Sequence, residues 1–178
     1  MSNRRIINLP KTRQRELAAQ FPWLMDIELG EEPADVEILS LTVFDRWLTR
    51  EEAGPALENV PEYEQARRDG LLAAFCARMV ASTEVLSFVQ RGRQHRDILF
   101  RRFLSKEVAS EYCRPGGGRK IFGHRHFHIV LPELGCAFYE SWDSTYHFFF
   151  ILPDIAEAAR GWASESGTHV LSHSNRRK

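Results

Sequence analysis

Residues Gly123–Leu152 read GHRHFHIVLPELGCAFYESWDSTYHFFFIL, and this stretch decides the expected fold. Pro132-Glu133-Leu134-Gly135 is a turn, because proline presets φ and glycine tolerates φ > 0. Asp143-Ser144 is a second break, between runs rich in Phe, Tyr and Thr. Strands over 124–131, 136–142 and 145–152 follow, and connections this short join antiparallel neighbours. Pairing Pro132 with Gly135 and Trp142 with Thr145 sets the register. Side chains alternate with a period of two. One face then carries His124, His126, His128, Tyr139, Ser141, Asp143, Tyr146, Phe148 and Phe150. The other carries Phe127, Ile129, Leu131, Cys136, Phe138, Glu140, Trp142, His147, Phe149 and Ile151. His124 stands opposite Asp143, His126 opposite Ser141, and His128 opposite Tyr139. A slip of one residue exchanges the faces.

The chain outside this meander reads as mostly helical. Thr12 can cap a helix to Gln20, which Pro22 ends. Over 35–50, Val36, Leu39, Val43 and Trp47 fall at helical spacing, with a strand over Ile38–Val43 as the alternative. Residues 61–91 read as one long helix with proline in its first turn and Gly92 after its end. Its stripe is Leu71, Phe75, Met79, Ser82, Leu86 and Val89. A further helix over 95–113 puts Ile98, Leu99, Phe103 and Val108 inward and Arg101, Arg102 and Lys106 outward. Arg114–Lys120 is a flexible basic loop. Pro153-Asp154 opens a helix ending near Gly167, and 168–172 can add a strand. The expected fold is therefore α+β: a mostly helical N-terminal two-thirds packed on a C-terminal antiparallel meander of three to five strands. The chain of 178 residues fits a single domain over 12–172, with a flexible N-terminus over 1–11 and a flexible basic tail over 173–178.

Composition points to a soluble cytoplasmic protein. Apolar residues make up 43% and charged residues 27%, as in ordinary globular proteins. The three cysteines, Cys76, Cys113 and Cys136, stand far apart in no metal or disulfide spacing. No apolar run approaches a membrane span. The net charge of zero hides a segregation: Asp26–Glu58 carries ten acids against Arg46 and Arg50, and Arg91–Lys120 carries nine bases against three acids. Each segment can meet the other, or a partner of opposite sign.

The run His124-Arg125-His126-Phe127-His128-Ile129-Val130 resembles the motif of the histidine triad nucleotide hydrolases and transferases, with Arg125 at a usually apolar position. The resemblance implies His126 as the nucleophile on phosphorus, supported by His124 and His128. In the register above, His126, Ser141 and Asp143 also form a His-Ser-Asp grouping, although Ser141 sits mid-strand without a nucleophile elbow. Two imidazoles on one strand side, with a carboxylate across from them, suit a divalent metal, which gives His124, His126 and Asp143 as a ligand set, with His169 or His173 also within reach. Glu140 beside His147 reads as a hydrogen-bonded pair. The glycines of the basic loop, with Arg119 and Lys120, can hold a phosphate-bearing ligand, and the arginines can contact nucleic acid.

Aromatic, basic and imidazole groups on an open sheet face also describe a protein-binding surface. The leading expectation is therefore a small cytoplasmic binding or regulatory protein, inhibitor- or immunity-like, with no cofactor and a protein partner. Its contacts are Arg101, Arg102, Arg119, Lys120, Tyr139 and Tyr146. The alternative is a histidine-dependent phosphoesterase or nucleotide hydrolase centred on His124, His126 and His128, with or without a metal.

Overall fold

The computed structural model describes residues 5–91, 97–123 and 126–173. Eight strands form one antiparallel sheet: β1 (Ile6–Asn8), β2 (Glu37–Thr42), β3 (Leu86–Arg91), β4 (Asp97–Phe103), β5 (His128–Leu131), β6 (Cys136–Tyr139), β7 (Thr145–Phe150) and β8 (His169–Ser172). Their spatial order is β1-β4-β3-β5-β6-β7-β2-β8. The helices are α1 (Lys11–Gln20), α2 (Leu24–Glu28), α3 (Arg50–Leu57), α4 (Glu62–Ser82), α5 (Lys106–Cys113), α6 (Gly117–Phe122) and α7 (Asp154–Ser166). None of them is long and apolar enough to cross a membrane.

The expectation of an N-terminal helical block on a short C-terminal meander is overturned, because half of the strands precede the meander. β2 has the sequence EILSLT, and its alternation, Ile38 and Ser40 on one face and Leu39 and Leu41 on the other, outweighs the helical spacing. The long helix stops at Ser82, and Thr83 takes an extended conformation. Beyond it Leu86 and Phe88 point to one face as β3. In β4, Arg101 and Arg102 lie on opposite faces and do not share the outer side of a helix. Residues 6–8, expected within the flexible N-terminus, pair with β4. The expected basic loop contains α6. The helices over 11–20 and 154–166 and the strand over 169–172 form as the sequence suggests.

Helices pack on both faces of the sheet. On one, α4, α5 and α7 bury Phe75, Met79, Tyr112, Ile155 and Trp162 against Leu39, Leu41, Ile129, Phe138, Tyr146 and Phe148. On the other, α1 and α2 bury Leu17, Phe21, Trp23 and Leu24 against Leu86, Phe88, Phe100, Val130 and Ala137.

The first hairpin keeps the expected register, with His128 opposite Tyr139. The second is shifted by one residue. Tyr139 faces His147 and Phe138 faces Phe148, so the connection is the five residues Glu140–Ser144. Ser144 sits at φ 59, and Asp143 Oδ1 accepts from the Thr145 N–H at 3.1 Å. The shift moves Tyr146, Phe148 and Phe150 beside Phe138 in the core under α4 and α7. It brings His147 and Phe149 to the face of His128 and Tyr139.

Candidate functional site

The registers line up one row of side chains across the sheet, perpendicular to the strands. His128 pairs with Tyr139, Tyr139 with His147, His147 with Ser40, and Ser40 with Leu171. The row continues onto β3, where the Phe88 ring lies 5.7 Å from the His128 ring. Adjacent strands on one face present neighbouring side chains, so six strands contribute to a single band, polar and aromatic from β3 to β2 and ending on Leu171 of β8.

At one end of this band lies a carboxylate from α2. Glu28 Oε1 accepts from Tyr139 Oη at 2.7 Å and stands 3.4 Å from His128 Nδ1. The Glu28 side chain is 8% exposed and that of His128 is 38% exposed, so the carboxylate is enclosed while the imidazole keeps an open side. Burial, reinforced by the Glu28 charge, holds the Tyr139 phenol far above its ordinary value. The carboxylate can fix the imidazole ring for proton transfer, as an orienting acid does beside a general base.

At the other end, Ser40 Oγ lies 2.9 Å from His147 Nδ1 and 2.7 Å from His173 Nε2. One hydroxyl has one proton, so Ser40 donates to one ring nitrogen and accepts from an N–H of the other. Burial holds His147 below its ordinary value and His173 adds to that, while Asp143 opposes it. The Trp47 ring meets His173 edge-on at 4.9 Å, and its Nε1 donates to the Ser172 carbonyl at 3.3 Å. Ser40 is 0% exposed, so this serine–histidine contact offers no accessible nucleophile. The three thiols are also enclosed, and burial raises each well above its ordinary value.

A third group lies on the opposite face. The Glu140 carboxylate accepts from the N–H of Gly116 at 2.8 Å and from that of Phe127 at 2.9 Å. Burial raises its pKa and these two N–H groups lower it, with burial the larger effect. The expected Glu140–His147 pair is absent, since the two side chains point to different faces. The glycines serve packing. Gly116 takes φ 68, and a Cβ on Gly117 would strike the carbonyls of Glu111 and Tyr112. The N–H of Gly116 is taken by Glu140 and that of Gly117 by Arg114 O at 2.8 Å.

His124 lies outside the described residues. His126 is half-buried in a bend just before β5, so the ladder ends short of the positions expected to set it against Ser141. Ser141 and Asp143 belong to the β6–β7 connection. Among the described residues, no three His, Cys, Asp or Glu side chains come together as a metal site. Arg102, Arg119 and Lys120 are exposed, whereas Arg101 is half-buried beside Tyr112 and Tyr146 is 2% exposed in the core. Tyr146 therefore leaves the expected contact surface. Glu28, Ser40 and Trp47 join the band without having been singled out, and His173, expected within reach as a further metal ligand, joins it through Ser40 instead. A polar residue in the alternating run Ile38–Leu41 was the available signal for Ser40; Glu28 had none, because its contact with Tyr139 is distant in sequence. Compared with models of known protein families, with curated proteins and with solved structures, the chain matches none.

Proposed function

We propose that this is a binding or regulatory protein that receives a protein partner on the β7–β2–β8 half of the sheet face bearing the polar band. One observation carries the reading: helices cover this face over β4, β3, β5 and β6, while no described helix packs on it over β2 and β8. The main helix contacts of β2 and β8 come from α7, on the opposite face. This helix-free half presents Ile38, His147, Phe149 and Leu171, all half-buried, around the buried Ser40, Thr42 and Thr145, with the 46% exposed Trp47 at its border. Aromatic and aliphatic groups around a few neutral polar ones suit the centre of a protein interface.

A photoreactive side chain at Leu171 tests the reading, with the same group at the exposed Ala74 on α4 as control. In cells, Leu171 is expected to capture one discrete partner that Ala74 does not, and Ile38→Glu to abolish the capture. Equal capture at both positions sinks the reading. A histidine-dependent hydrolase is the second reading, supported by the carboxylate that orients His128. It requires phosphoester turnover by the purified protein that is lost in His128→Ala and retained in His126→Ala.

A further inference from the structure

We infer that the segment docking on the β7–β2–β8 half-face is a basic amphipathic helix of the partner protein. The inference rests on the docking reading above and adds the shape and charge of the occupant. Three strands about 4.8 Å apart make a strip roughly 14 Å wide, which accommodates one helix of about 10–12 Å diameter. Helices already cover the other half of this face in the same manner. The floor is apolar and aromatic through Ile38, Phe149 and Leu171, so the occupant needs an apolar stripe.

The rim supplies the charge. The chain runs from Glu28, bonded to Tyr139 on β6, to Glu37, paired with Phe150 on β7. The connection 29–36 therefore crosses beside the helix-free half at the Phe150 end of β7, and it exposes Glu31, Glu32 and Asp35. At the opposite strand ends lie Asp45, just after β2, and Asp143, beside Thr145. Among the described residues, none of these five acids takes part in a salt bridge. Of the two bases in Asp26–Glu58, Arg46 is held by Glu52 at 2.6 Å. A neutral floor between two acidic ends selects a helix that carries lysine or arginine beside its apolar stripe. The chain's own Arg176, Arg177 and Lys178 follow His173 closely in sequence and are the competing occupant.

The probes are a labelled Lys/Leu amphipathic helical peptide and its Glu/Leu counterpart, titrated into the full chain by fluorescence anisotropy. The expected result is binding of the Lys/Leu peptide at least about tenfold tighter than the Glu/Leu peptide, weakening with salt. The triple reversal E31K/E32K/D35K is expected to remove that preference, and L171D to abolish binding. W47A, which leaves the β8 ladder intact, is expected to weaken it as well. Binding that needs Leu171 and Trp47 but ignores the rim reversal overturns the basic helix and leaves the docking face standing. Binding indifferent to Leu171 and Trp47 overturns both. Binding seen only when the chain is ended after His173 makes the tail the occupant, and the inference falls.

Discussion

Three polar side chains, Ser87 buried and Glu140 and His147 half-buried, carry opposite signs of stability. Glu140 uses one oxygen for each of two backbone donors, Gly116 and Phe127. Glu140→Gln keeps one acceptor and turns an NH2 toward the other N–H, so one buried donor loses its partner. The expected cost is about 1–3 kcal/mol, read as a lower urea midpoint at unchanged slope; an unchanged midpoint means the two N–H groups are satisfied elsewhere. Ser87 is the reverse case. Its Oγ is buried without a hydrogen-bond partner among the described residues, so Ser87→Ala removes a desolvated hydroxyl and is expected to leave stability equal or higher by up to roughly 1–3 kcal/mol. His147 gives the pH dependence. Burial depresses its folded pKa, so between that value and about 6.5 the unfolded chain binds a proton that the native chain refuses. Stability from this group is complete above about pH 6.5 and is lost as the pH falls toward the folded value. Urea titrations from pH 8 to 5 are expected to show a smaller acid-side loss in His147→Gln than in the parent chain. Equal losses in the two proteins rule out His147 as a source.

At the scale of elements, β3 decides between two readings of residues 83–91. A helix continued through this region buries Leu86 and Val89 on the stripe of Phe75 and Met79 and leaves Phe88 off it. The strand instead buries Phe88, at 1% exposure, against Phe100, His128 and Tyr139, and Val89 is only half-buried. Phe88→Ala is expected to cost about 3–5 kcal/mol and Val89→Ala clearly less; the opposite ranking in denaturation supports the helix. The sequence misleads here because Leu86 and Val89 extend the three-and-four spacing of a real helix, and no glycine or proline marks the break at Thr83. In β2 the same ambiguity arises from six residues, where helical and alternating patterns overlap. The first hairpin was legible, since Pro132 and Gly135 leave its turn little freedom. The second was not: five residues connect β6 to β7, and a loop of that length fixes no register. That slip decided the site, because it exchanged Tyr146 for His147 on the face of His128 and hid the contact between His147 and Ser40.

Across the whole molecule the sheet is a wall shared by two cores, and chain order does not follow space. β2 lies between β7 and β8, so an N-terminal strand takes both of its neighbours from the C-terminal part of the chain, and β1 closes the other edge against β4. The same order separates the charges: β2, in the acidic segment, stands seventh in the sheet, and β4, in the basic segment, stands second. A division of the chain into an N-terminal helical unit and a C-terminal sheet would permit stepwise unfolding. The observed arrangement does not, because opening either core removes one side of the strands that support the other. Trp23 belongs to the core under α1 and α2, and Trp162 to the core under α4 and α7. Chains retaining only Trp23 or only Trp162, with the other three tryptophans replaced by phenylalanine, give one fluorescence reporter per core. In each chain the tryptophan transition in urea is expected to coincide, in midpoint and slope, with that same chain's loss of far-ultraviolet circular dichroism. If the Trp23 signal is lost while Trp162 and the strand signal persist, α1 and α2 are a detachable cover and the wall is sustained by one face alone.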